Sequence, residues 1–253
     1  MNDLVSIIMP TYNSCQFIKQ SIKSVLSQTY SNWELIIIDD CSNDNTYGIV
    51  KEFDDKRVCY FRNGTNLGTA KSRNRALKIA KGKWIAFLDS DDVWYPKKLE
   101  RQINFMNSKG YDFSYTNYEE IDAYGNSLRK IVTGPRKITK KGMKKFCWPG
   151  CLTVMYNQQI VGCVQIPEIK VNNDYAMWLR VSEFLDCYLL EDNLAQYRRR
   201  KGSVSNHSYL ELLKWHYKLF REVEKESVTI SLFCTFRNIL FGIYKKIRYV
   251  RDV

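Results

Sequence analysis

The chain has 253 residues, of which 45% are apolar, 26% charged and 14% aromatic, with 12 Gly and 5 Pro. That balance excludes collagen-like, disordered and disulfide-miniprotein classes, and the length suits one large domain or one domain with an appendage. The net charge of +12 is lopsided: residues 1–128 hold 16 Lys/Arg against 16 Asp/Glu, and residues 129–253 hold 23 against 11. An anionic partner is expected to meet the second half.

In chain order, a short β-branched run over residues 4–9 predicts a buried strand ended by Pro10. Phe17, Ile18, Ile22, Val25 and Leu26 repeat at helical spacing on a segment starting near Ser14. Residues 35–38 form a second buried strand running into Asp39-Asp40-Cys41-Ser42, and Asp44 can cap the helix after it. Residues 58–61 give a third strand, followed by the turn-rich stretch 63–68. A helix over 70–81, stopped by Gly82, leads to a fourth strand over 84–88. Short strands alternating with helices predict a parallel, doubly wound α/β sheet.

Past residue 110 the alternation weakens. Residues 129–145 carry eight Lys/Arg and no acid. A helix is expected over 173–185 with Tyr175, Trp178 and Leu179 on one face, and two helices from Tyr209 onward break near Ser227. The expected division is 1–206 for the α/β domain and 207–253 for a basic, amphipathic helical extension.

The eight cysteines sit mostly in apolar stretches, their closest spacing is Cys147-x3-Cys151, and His207 and His216 are the chain's two imidazoles. Buried, reduced thiols in a cytosolic protein fit this better than structural zinc. The first 13 residues lack the basic and long apolar regions of a signal peptide.

In an open α/β sheet, ligands bind beyond the carboxyl ends of the strands. Two acidic clusters fall there: Asp39-Asp40, and Asp89-Ser90-Asp91-Asp92. Helix capping and turn formation account for the first as readily as binding does. Three carboxylates in four residues repel unless a cation or donors sit among them. A magnesium or manganese ion on one or two carboxylates, completed by phosphate oxygens, meets that need. Asp40 can then accept hydrogen bonds from a base or ribose. The chain contains neither GxGxxG after the first strand nor GxxxxGK[ST], so a plain dehydrogenase or P-loop protein is excluded. Arg73 and Arg75 are candidates to neutralise a diphosphate, and Arg73 can brace the Asp cluster instead.

Val5-Ser6-Ile7-Ile8-Met9-Pro10-Thr11-Tyr12-Asn13, Ile38-Asp39-Asp40-Cys41-Ser42, Asn66-Leu67-Gly68, Ser72-Arg73-Asn74, Asp89-Ser90-Asp91-Asp92 and Asn173-Asp174-Tyr175-Ala176-Met177-Trp178 stand in this order. Together with Tyr197-Arg198-Arg199-Arg200 they resemble the family-2 glycosyltransferases, over about four-fifths of the chain. The resemblance implies a GT-A fold and inverting transfer of a sugar from a nucleotide-diphosphate donor, most often UDP-linked. It points further to bacterial enzymes that assemble O-antigen, lipopolysaccharide, capsule or teichuronic-type polymers.

By that resemblance Pro10, Thr11, Tyr12, Asn13, Asp40, Arg73 and Ser90 line the donor-nucleotide pocket. Asp89 and Asp91 match the DxD pair, with Asp91 the direct ligand of Mn2+ or Mg2+, and Asp174 is the catalytic base. Asn173 stands where Glu is frequent, and Cys41 where Gly is common. His207 is a further metal candidate. Arg198, Trp178 and Ser203 are assigned to the diphosphate or acceptor side, although core packing is slightly favoured over sugar stacking for Trp178. A run of four basic residues before Gly202-Ser203-Val204-Ser205 suits a loop that closes over the diphosphate.

Residues 228–244 hold a single charge, Arg237, and are marginal in length for a membrane span. Phe233, Phe236, Leu240, Ile243 and Ile247 form a helical stripe beside Lys245, Lys246 and Arg248, which suits an interfacial helix on an anionic membrane; packing on the domain is the alternative. The expected partners are a nucleotide-sugar, a lipid-linked glycan acceptor and the inner face of the cytoplasmic membrane. Nucleic acid is not expected, and an oligomer is left open. Two other readings stay open at this point: a basic nucleic-acid-binding protein, and a glycosyltransferase-shaped protein without activity.

Overall fold

The computed structural model describes residues 3–169, 171–200 and 209–252. Seven elements alternate through the first half: β1 (Val5–Thr11), α1 (Ile18–Leu26), β2 (Trp33–Asp39), α2 (Thr46–Val50), β3 (Val58–Arg62), α3 (Thr69–Ile79) and β4 (Trp84–Phe87). Side chains alternate faces along a strand. Thus Ile7 and Met9 of β1 pack with Ile18, Ile22 and Val25 of α1, while Ile8 packs with Ala76 and Leu77 of α3 on the other face. Buried on both faces, β1 lies in the middle of the sheet, whereas the half-buried β3 forms its edge.

The four strands run parallel in the order β4-β1-β2-β3. The chain leaves β1 towards β2 and β3, then returns to the other side of β1 with β4. That reversal opens a crevice beyond the carboxyl ends of β1 and β4, where Thr11 and Asp89 emerge. Pro10 is tolerated in central β1 because pairing with β4 stops at Ile8 opposite Phe87, so its missing N–H has no partner to fail.

The second half comprises β5 (Val93–Trp94), α4 (Lys98–Lys109), β6 (Phe113–Ile121), β7 (Ser127–Val132), β8 (Lys137–Ile138), α5 (Lys140–Lys145), a 3-10 turn (Cys151–Thr153), β9 (Met155–Asn157), α6 (Gln158–Val161), α7 (Asn173–Val181) and β10 (Cys187–Arg198). β9 joins the parallel block to β6 through antiparallel pairs, and β10 runs parallel to β6. The α/β class therefore holds, with a parallel core and a mixed second half. At the C-terminal end, α8 (Tyr209–Lys218), a π turn (Leu219–Val223) and α9 (Val228–Arg248) lead to β11 (Val250–Asp252), which pairs with β7. The extension thus returns to the same sheet.

Local details depart from the sequence expectation. The third helix ends at Ile79 with Ala80 already extended, so Gly82 is not its stop. A Cβ on Gly82 would lie 2.5 Å from the Ser6 amide nitrogen and 2.7 Å from the Leu4 carbonyl oxygen, so close approach to β1 is what requires glycine. All eight cysteines are free thiols, yet only Cys187 and Cys234 are fully buried, and Cys163 is exposed.

Candidate active site

β4 ends at Phe87, and the next residues turn across the crevice mouth. Asp92 is buried: its carboxylate accepts from the Arg198 amide at 2.9 Å, and its carbonyl accepts from the Ser21 hydroxyl at 2.7 Å. It therefore pins the turn to α1 and β10. Ser90 is also buried and donates to the Ser14 hydroxyl at 2.8 Å, tying the turn to the loop after β1. Asp89 and Asp91, half-buried, are left facing the crevice.

Each of those two carboxylates meets a guanidinium. Arg73 of α3 binds Asp89 Oδ1 at 2.5 Å through Nη2, and Arg200 binds Asp91 Oδ2 at 2.7 Å through Nε. Burial and the neighbouring Asp89 charge push the Asp91 carboxyl above its ordinary range, against the pull of Arg200. The acids repel, and the two arginines offset it.

Arg73 has a second contact. Its Nη1 donates to Asn173 Oδ1 at 2.7 Å, which joins the β4 turn to the start of α7. Asn172, the N-cap of α7, is in the left-handed region at φ 62°, a conformation Asn adopts readily. Asp174 follows in the first turn, where the helix dipole favours an anion. Its Oδ1 accepts the Tyr175 amide at 2.9 Å, and burial raises its carboxyl above the ordinary value against the pull of Arg73. The Asp174 charge is also felt by Cys147, Cys151 and Lys245.

The loop after β1 supplies Thr11, Tyr12 and Asn13. Tyr12 is exposed, and Asn13, at φ 47°, accepts the Asn43 amide through Oδ1 at 2.8 Å while its own amide donates to Ser42 Oγ. Thr11 is buried with its hydroxyl unpartnered. Cys41 adopts φ 67°, which explains why glycine suits that position.

Three assigned residues are placed differently from expectation. Asp40, expected to receive a base, is 4% exposed, and accepts from Asn63 Nδ2 (2.8 Å) and from the Leu67 (2.8 Å) and Gly68 (2.7 Å) amides. These bonds make it a brace of the 63–68 loop. Trp178 is completely buried edge-on against Phe87, so it packs in the core and cannot stack on a sugar. Arg198 is buried too, donating to the carbonyls of Asp91, Asp122 and Ala123 and to Gln20 Oε1. It holds backbone in place, and Arg200, two residues on, is the arginine of this run that reaches Asp91. Ser203 and His207 lie outside the described residues.

Among the described residues no group of three or more His, Cys, Asp and Glu converges as a ready metal cage. Two crevice-facing carboxylates still fit a magnesium-type ion, which takes one or two protein carboxylates and fills its other positions with phosphate and water. Asp89 and Asp91 are the residues available for that. Arg200, Gln20, Asn172 and His216 were not singled out from the sequence as site residues. His216 of α8 sets its Nδ1 3.2 Å from Asn172 Nδ2, so the C-terminal helices support the α7 cap. No spacing rule along the chain announces a contact across 44 residues.

The family described as Glycosyl transferase family 2 matches residues 6–157. The chain belongs to glycosyltransferase family 2. It is 36% identical over 234 residues to the putative teichuronic acid biosynthesis glycosyltransferase TuaG of Bacillus subtilis, spanning 91% of this chain and 92% of that one. It is 42% identical over 214 residues to WfgD of Escherichia coli, a UDP-Glc:alpha-D-GlcNAc-diphosphoundecaprenol beta-1,3-glucosyltransferase, over 83% of this chain and 82% of that one. The crystal structure of S. aureus TarS 1–349 in complex with UDP-GlcNAc matches with a TM-score of 0.73 at 22% identity, over 90% of this chain and 69% of that one. The mannosyltransferase PcManGT from Pyrobaculum calidifontis, in complex with GDP-Man and Mn2+, matches at 0.64 and 14% identity over 95% and 75%. Those structural likenesses establish the fold, which is GT-A. The protein is a glycosyltransferase.

Proposed function

We propose that this glycosyltransferase moves a hexose or N-acetylhexosamine from a UDP-sugar to a hydroxyl of a lipid-linked bacterial surface glycan, with inversion. The observation that carries the reading is the double contact of Arg73. One buried guanidinium links Asp89, at the end of β4, to Asn173, the residue before Asp174. Donor-side and acceptor-side carboxylates are thereby held in one frame.

In this reading Asp174 takes the proton from the acceptor hydroxyl as that oxygen bonds to the anomeric carbon. The bond from that carbon to the donor phosphate oxygen breaks in the same displacement, and UDP leaves. A carboxyl raised by burial is a better base than an ordinary one, because its proton affinity lies closer to neutral pH. Asp89 and Asp91 would hold Mn2+ or Mg2+, whose charge offsets that of the diphosphate. Arg200, on leaving Asp91, can turn to the same diphosphate. Tyr12, Asn13 and Thr11 line the nucleoside side, in a loop fixed by Ser14 and Ser90.

The acceptor class and the place of action follow the relatives. WfgD is named for a diphosphoundecaprenol-linked sugar and TuaG for teichuronic acid biosynthesis, which supports a lipid-linked acceptor; the inner face of the cytoplasmic membrane is the place of action proposed with it. Titration calorimetry of UDP and GDP with and without Mn2+, on wild type and Asp91→Asn, tests the donor half. Manganese-dependent UDP binding that Asp91→Asn abolishes is expected. Absence of nucleotide binding under every metal condition would overturn the proposal.

A further inference from the structure

A helix lying on a globular domain ordinarily turns its apolar stripe inward. α9 does so only through Cys234 and Phe241, the latter edge-on to Trp148. Its buried side consists of Ser231, Cys234, Thr235 and Asn238, none more than 4% exposed. Polar bonds fix that side: Asn238 Nδ2 donates to the Lys145 carbonyl at 3.0 Å and to Tyr175 Oη at 3.1 Å, and Arg237 Nη2 donates to the Lys144 carbonyl at 2.8 Å. The other side presents Phe233, Phe236, Leu240, Ile243 and Ile247, each between 50% and 79% exposed. We propose that this outward face of α9 docks the enzyme on an anionic lipid bilayer, an inference that rests on the reading of a lipid-linked acceptor.

The occupant is chosen by charge and length. Among the described residues no helix is long and apolar enough to cross a membrane, so the face lies on a bilayer and does not span it. α9 contains no Asp or Glu and ends in Lys245, Lys246 and Arg248, of which the last two are exposed. β11 adds Arg251 and pairs with β7, where Lys130 stands opposite Asp252. Apolar side chains beside a basic rim match acyl chains beneath anionic headgroups. A second copy packed through the same face would set these cations against their own kind, as an isologous contact pairs a patch with itself.

The docking face and the proposed base lie on the two sides of one helix. Asn238 on the buried side touches Tyr175, the neighbour of Asp174, and a helix is about 10–12 Å thick. Docking therefore brings the crevice to the layer that holds the acceptor's lipid anchor.

The test is co-sedimentation of the full chain with phosphatidylcholine vesicles and with vesicles containing about 30% phosphatidylglycerol, alongside UDP titration. Binding to the anionic vesicles alone is expected. Lys246→Gln with Arg248→Gln should weaken it about thirtyfold, as each cation near such a surface contributes a factor of roughly five. Phe233→Ser with Phe236→Ser should weaken it about tenfold or more while UDP affinity stays unchanged. Equal binding to neutral vesicles, or no vesicle binding by a protein that still binds UDP, would overturn the docking inference alone. So would a concentration-dependent dimer that the Phe variant abolishes. Vesicle binding without nucleotide binding would instead overturn the functional reading.

Discussion

His216 gives the sharpest link between acid–base chemistry, packing and the site. Its ring is partly buried on α8, and burial lowers its pKa from 6.5 to about 4. The Asn172 amide nitrogen 3.2 Å from Nδ1 is a donor, so Nδ1 accepts and its proton sits on Nε2. A base whose folded value lies below its unfolded one is protonated more readily in the unfolded chain. Its contribution to stability is therefore present above pH 6.5 and is lost as the pH falls towards 4. Between about pH 7.5 and about pH 5 that loss amounts to roughly 2 kcal/mol. Urea unfolding of wild type and His216→Gln at the two pH values measures it, since Gln can still accept from Asn172. Wild type should lose about 2 kcal/mol more than the variant on acidification. Equal losses would refute the argument that a neutral imidazole supports the α7 cap.

Cys41→Gly should raise stability by about 1 kcal/mol, because the position is left-handed and glycine adopts that conformation without the Cβ clash. Thermal unfolding would show a melting point higher by roughly 2 °C, and a fall would refute the strain. Arg200→Gln should tighten Mn2+ binding without nucleotide by about fivefold, since Asp91 no longer gives up an ion pair worth about 1 kcal/mol. The same substitution should weaken UDP binding, and calorimetry that finds both affinities unchanged would remove Arg200 from the site.

Much of the site was legible because chain order and strand position coincide. Runs of β-branched residues fix where strands end, and acids immediately after them fall at the crevice mouth, as Asp89 and Asp91 do. What those acids meet was not legible. Asp40 and Asp91 look alike in sequence, yet one accepts the amides of a loop 27 and 28 residues away and the other meets Arg200. Arg198 and Arg200 sit in one basic run, but Arg198 closes β10 and turns inward, and Arg200 follows the strand and reaches Asp91. Trp178 was ambiguous because an aromatic one turn from a carboxylate suits stacking and core packing alike. α9 shows the opposite case. Its apolar stripe was plain from the sequence, but the polar residues that bind it to the domain carry no periodic signal stronger than the stripe itself.

The central claim is that Asp174 is the base of an inverting sugar transfer. The most direct test is transfer from UDP-sugars to a diphosphate-lipid-linked sugar acceptor by wild type and Asp174→Asn, with the anomeric configuration of the product determined. The account predicts an inverted linkage and a rate about 100-fold to 10,000-fold lower in the variant, with UDP affinity retained. A retained configuration, or transfer by Asp174→Asn at the wild-type rate, would contradict it.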